Sequence, residues 1–159
     1  IQDSINMIID KYCDNKKVSE AEYEDIKKEI EVLVFGIKSP DYTPGMTKKD
    51  LSELYIEAAK NKYCDREREW PDINMFREFE RQIILRCIDV KWMQHINDLE
   101  ILRQNISLVG YGQKDPAIVY KLKAFDMFNK MSDDIKNDAV YTLFSSRLRT
   151  AAPKRDTAA

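Results

Sequence analysis

His95, Asp98 and Glu100 are the side chains whose types and spacing come nearest to a reactive site in this sequence. His95 is the only histidine, and Asp98 follows three residues on, which places both on one face of a helix. With Glu100 they could act as metal ligands for a hydrolase. Two or three scattered donors on one helix do not close a coordination sphere, however, and no further ligands converge on them in sequence. A histidine paired locally with a carboxylate on a helix is the simpler reading. The cysteines Cys13, Cys64 and Cys87 are odd in number, widely separated and free of any CxxC pattern. They suggest neither a disulfide framework nor a zinc site, but reduced thiols in a cytosolic protein. No phosphate-binding glycine loop, no GxSxG elbow and no cysteine beside a base is present. The sequence therefore carries no catalytic residues and no metal or cofactor site that can be read from it.

One stretch is unusual in a different way. In "NISLVGYGQKDP", residues 105–116, Tyr111 stands between Gly110 and Gly112, two of only four glycines in the chain. A turn between helices needs glycine and polar residues, not a large aromatic. An aromatic flanked by glycines either folds back over its own helices or stays out to touch a partner, offering a large contact area with one polar handle. The residues alone favour neither strongly, and folding back has a slight edge.

The elements that would position this stretch are helices. The chain has 159 residues, 34% charged and 43% apolar, with few glycines and prolines, a composition of a folded all-α protein. Residues 1–16 place Ile1, Ile5, Ile8, Ile9 and Tyr12 on one face. Ser19 with Glu22 forms a capping box that opens a helix carrying Ile26, Ile30, Leu33 and Val34 and ending near Gly36. A Pro- and Gly-containing loop, 36–45, leads to a second capping box, Thr47 with Asp50. The helix that follows, with Leu51, Leu54, Tyr55 and Ala58, is expected to end near Tyr63. "CDREREWPD", 64–72, reads as the break between two parts, with Pro71 suited to a first helical turn.

Beyond Pro71 the pattern changes. Nothing breaks a helix from Asp72 to about Ile106, and Leu85, Ile88, Trp92, Ile96, Leu99, Leu102 and Ile106 recur as a seam for a partner helix. Asp115 and Pro116 open another helix, whose Ile118, Leu122, Phe125, Phe128, Met131, Ile135, Leu143 and Phe144 read as core rather than as a cofactor box. Two long helices joined by a short loop pack antiparallel. The expected architecture is a short-helix subdomain, residues 1–72, followed by a long antiparallel two-helix hairpin, 73–148, and a flexible tail, 149–159.

Charge divides along the same line. Residues 1–75 hold 12 basic and 17 acidic side chains, a balance of −5, and residues 76–159 hold 14 and 11, a balance of +3. The basic residues of the second half are spread among acids, so no nucleic-acid stripe forms. No apolar run approaches the length of a membrane span, and no signal peptide is seen. The first residue is not Met, and the sequence is expected to be a piece of a longer protein.

A family resemblance rests on the residues around Tyr111. Trp92-Met93-Gln94-His95-Ile96, then Leu102-Arg103-Gln104, Ile106, Leu108, Gly110-Tyr111, Gln113-Lys114-Asp115-Pro116, Tyr120-Lys121 and "AFDMF" at 124–128 resemble the C-terminal region of SecA, the motor ATPase of bacterial protein export. The resemblance implies a helical wing domain over 1–72 and the helical scaffold's two-helix finger over 73–148. It implies that the finger tip, Val109, Gly110, Tyr111, Gly112, Gln113 and Lys114, touches the SecY channel and the translocating polypeptide. The partners it implies are the SecY complex, an unfolded preprotein, upstream ATPase domains that hold ATP and magnesium, and a peripheral membrane contact on the cytoplasmic, inner face of the bacterial plasma membrane. A homodimer is left open. Val109 stands where the family has arginine, Glu100 where it has aspartate, and Val119 and Leu122 where it has charged residues. These departures leave open a housekeeping SecA or an accessory paralogue. The competing reading is a free-standing helical adaptor with no catalytic activity.

Overall fold

A computed structural model describes residues 1–13, 17–108 and 115–146, with the backbone alone at 107 and 108. The described residues form five helices: α1 (Gln2–Tyr12), α2 (Glu20–Leu33), α3 (Lys48–Arg68), α4 (Ile73–Leu108) and α5 (Pro116–Ser145). Among the described residues the only extended pairing is an isolated bridge between Lys17 and Thr47. The protein is all-α, as its composition and periodicity indicate.

Both capping boxes form. The Ser19 hydroxyl accepts the Glu22 N–H while the Glu22 carboxylate accepts the Ser19 N–H, and Thr47 and Asp50 repeat the arrangement at the start of α3. Each box satisfies two backbone donors that a helix N-terminus otherwise leaves open. Gly36, just past α2, takes φ +75°, the left-handed conformation expected of a glycine there.

The first three helices bury the faces their spacing defines. Ile5, Ile8 and Ile9 of α1 meet Tyr23, Ile26, Ile30 and Leu33 of α2 and Leu51, Tyr55 and Ala59 of α3 in one hydrophobic cluster. That cluster does not stop at the expected boundary. It continues through Phe76 and Ile83 of α4 and Val140, Leu143 and Phe144 of α5. The apolar base of the hairpin is therefore built into the core of the first three helices.

α3 is longer than its sequence pattern suggests. It runs through Cys64–Arg68, a segment read as a break, and only Glu69–Asp72 separates it from α4. Those charged residues are good helix formers, and Asp65 and Arg68 pair one turn apart. The corner itself is packed: the Trp70 ring lies 4.8 Å from Phe79 and 5.8 Å from Phe76, centroid to centroid.

α4 and α5 pack along one another in opposite directions. Lys91 pairs with Asp138 at 2.9 Å, and one turn further along α4 His95 meets Phe128, nearly three turns earlier on α5. The register of the seam differs from the expectation in its first half. Leu85, Ile88, Trp92 and Ile96 are exposed, Leu85 to 46% and Trp92 to 48%. The inward stripe is Ile83, Cys87, Lys91 and His95, which then joins the expected Leu99, Leu102 and Ile106. α4 carries apolar residues on two nearly opposite faces, since Ile83 and Leu85 are separated by ~200° of helical rotation. The hairpin covers the face whose middle is polar. On α5, likewise, Ile118, Leu122, Phe125 and Phe128 are exposed, and Val119, Tyr120, Ala124 and Met127 turn partly inward.

Candidate functional site: the helical hairpin and its anchor

The hairpin rises from the core on two helices of 36 and 30 residues. From Arg77 to Leu108, α4 extends ~46 Å at ~1.5 Å per residue. α5 opens with the Asp115 carboxylate accepting the Ala117 N–H at 2.9 Å and with Pro116 in the first turn, where its missing donor costs nothing. The connection between α4 and α5 is thus residues 109–115. The sequence-derived site residues Val109, Gly110, Tyr111, Gly112, Gln113 and Lys114 all lie outside the described residues.

The described part of the hairpin has a polar middle. His95, only 6% exposed, is held between the rings of Trp92 and Phe128, each with its centroid 6.0 Å away. It borders a cavity of about 210 Å³ between the two helices, shared with Lys91, Asp98, Lys130 and Asp134. Lys91 is raised above its ordinary pKa, chiefly by its hydrogen bond to Asp138. Cys87 is also raised, by burial first and by Asp138 second, which favours the protonated thiol. Glu100 is engaged elsewhere, accepting from Arg103 at 2.8 Å and Gln104 at 3.2 Å. No group of three or more His, Cys, Asp or Glu side chains able to hold a metal occurs among the described residues. No described helix is long and apolar enough to cross a membrane.

The base of the hairpin is anchored by a polar clamp that sequence patterns do not reveal. It is built on Tyr63, Arg66 and Glu67 in the last two turns of α3. Tyr63 donates to Glu80 at 2.7 Å, and Arg77 of α4 reaches back to Tyr63 and, at 2.6 Å, to Glu67 while pairing with Glu80, one turn on in α4, at 2.8 Å. These contacts hold the foot of α4. Arg66, 5% exposed, holds the foot of α5: its Nη2 donates to the carbonyls of Leu143, at 3.3 Å, and Ser146, and its Nη1 pairs with Glu69. Both feet are therefore gripped by one short piece of α3. Nothing in "CDREREW" distinguishes Arg66 from its solvated neighbours, so burial alone brings it to notice.

A model of the SecA Wing and Scaffold domain matches residues 1–147. The chain belongs to the SecA wing and scaffold family. Its relatives include the protein translocase subunits SecA of Caldicellulosiruptor saccharolyticus, 36% identical over 98% of this chain, and of Carboxydothermus hydrogenoformans, 40% identical over 74% of it. That of Syntrophomonas wolfei is 38% identical over 76%. The chain spans 19%, 13% and 15% of the length of these SecA relatives respectively. In this SecA wing and scaffold region the shared core holds α1–α3 and the feet of the hairpin, and the remainder of α4 and α5 extends beyond it. The extensive apolar surface on that remainder, Trp92, Ile96, Ile101, Leu122 and Phe125, is far more than isolated exposed residues would give.

Proposed function

We propose that this chain is the wing and two-helix finger of a SecA motor that drives preproteins through the SecY channel. In this reading the connection at 109–115 is the working end. Tyr111 contacts the moving polypeptide, and Gly110 and Gly112 leave its backbone free to adjust. Val109, Gln113 and Lys114 meet the channel or the polypeptide beside it. The observation that carries the reading is the pairing of two long helices, anchored at one end, around a Gly-Tyr-Gly segment at the other. A stiff, protruding hairpin can transmit displacement from its base, and an aromatic can grip varied side chains without reading sequence.

ATP and magnesium belong, in this proposal, to domains outside this segment, since the chain spans under a fifth of its relatives' length. The exposed apolar faces of α4 and α5 would be covered by those domains or by the channel. The protein would act on the inner face of the bacterial plasma membrane, held there by its partners. The test is Tyr111→Ala in the full-length protein: translocation falls while basal ATP hydrolysis persists. Undiminished translocation would remove Tyr111 from the working end. The adaptor reading predicts instead that the region functions without any ATPase domains.

A further inference from the structure

Arg66 differs from every other charged residue described in the chain. It is 5% exposed, whereas the other charged side chains lie on the surface or at its edge. Its guanidinium satisfies backbone carbonyls at the end of α5, where a helix leaves its last four acceptors open and carries a partial negative charge. The planar fork of arginine reaches Leu143 and Ser146 from one nitrogen while the other nitrogen holds Glu69. The apolar contacts beside it, Leu143 and Phe144 in the core cluster, attract without direction and tolerate sliding. Hydrogen bonds from a charged group fix position and angle.

The location makes angle matter. Tyr63 and Glu67, within three residues of Arg66, hold the foot of α4, and Arg66 holds the foot of α5. With packed helices ~9 Å apart, a ~1 Å slip of one foot against the other tilts a ~46 Å hairpin enough to move Leu108 by ~5 Å. We propose that Arg66 is a positioning residue, which sets the direction of the α4–α5 hairpin relative to the α1–α3 bundle by locking the C-terminal end of α5 to α3. The consequence for translocation rests on the function proposed above; the geometry does not.

The test measures direction first. In the full-length protein, made otherwise cysteine-free, spin labels are attached at Glu53→Cys on α3 and Asn105→Cys near the far end of α4, both exposed positions. A second pair, Lys28→Cys and Glu53→Cys, lies wholly within the bundle. In R66Q the 53–105 distance distribution broadens about twofold while the 28–53 distribution keeps its parental width. R66K keeps the charge but replaces the planar two-nitrogen fork with one point of attachment, and gives an intermediate width. A parental 53–105 distribution in R66Q overturns the proposal, and so does equal broadening of both pairs, which makes Arg66 a general stability residue. Translocation is then compared in the same variants. A severalfold loss with ATP hydrolysis preserved supports both readings. Broadening with full translocation leaves Arg66 as the positioning residue and removes the working-end role of the hairpin tip.

Discussion

The hydroxyl of Tyr63 donates to Glu80 across the corner where α3 gives way to α4, at 2.7 Å. Burial first, and this bond to the carboxylate second, push the phenol up to about 12 from an ordinary 10.0. A phenol raised in the folded state contributes stability that is complete below the unfolded value and is lost as pH rises through the folded one. Stability is therefore expected to fall between pH 10 and about 12. In Tyr63→Phe that fall is shallower, and ultraviolet absorbance titration loses one late-titrating tyrosine. A late-titrating fraction unchanged in Tyr63→Phe would mean that Tyr63 is not held at this buried corner in solution.

The register of the hairpin yields a paired test. Ile83 is 7% exposed and faces the core, whereas Leu85, two residues on, is 46% exposed. Ile83→Ala is expected to cost ~2–4 kcal/mol through lost burial and the cavity left behind. Leu85→Ala is expected to cost under ~1 kcal/mol in the isolated chain. Urea denaturation of the two variants decides. Equal costs would restore the seam that periodicity suggests.

That seam shows where sequence reading succeeds and where it stops. Ser19, Glu22, Thr47, Asp50, Asp115 and Pro116 act within one turn of the chain, and their roles follow from local hydrogen-bond chemistry. All five helices are legible from such signals and from apolar spacing. The face that α4 turns toward α5 is not, because two stripes compete and the buried one contains Lys91 and His95. An apolar count selects the other stripe. The buried role of Arg66 is also invisible, since it depends on Leu143 and Ser146, about eighty residues away. The resemblance that names the region lies around Tyr111, so the identity of the family was legible while the anchor of its hairpin was not.

The capping boxes carry a pH signature on the acid side. Hydrogen bonds from Ser19 hold Glu22 below its ordinary pKa, and bonds from Thr47 do the same for Asp50. A depressed carboxyl contributes stability that is present above the unfolded value and lost as pH falls through the folded one. Ser19→Ala should lower stability by ~1 kcal/mol near neutral pH. Glu22→Gln should make the loss on acidification below pH 4.5 shallower than in the parent. Circular dichroism melts over pH 3–7 follow both effects. A parental acid dependence in Glu22→Gln would mean the box is open in solution.

Phe76 sits at the junction of bundle and hairpin, fully buried, with Tyr63 5.6 Å and Trp70 5.8 Å from its ring centroid. Phe76→Ala is expected to cost ~3–5 kcal/mol. Because one core cluster spans both parts, the loss should appear as a single lowered thermal transition rather than as the separate melting of one part. Two resolved transitions in the parent protein would contradict a shared core.

A photo-reactive amino acid at position 111 of the full-length protein, illuminated while a preprotein is held partway through export, bears on the working end itself. The expected product is an ATP-dependent adduct between position 111 and the preprotein, with a weaker one or none from Asn105, on the side of α4. Adducts formed only within the chain, from 111 to α4 or α5, would show Tyr111 folded back on its own hairpin and would contradict its assignment as the polypeptide contact.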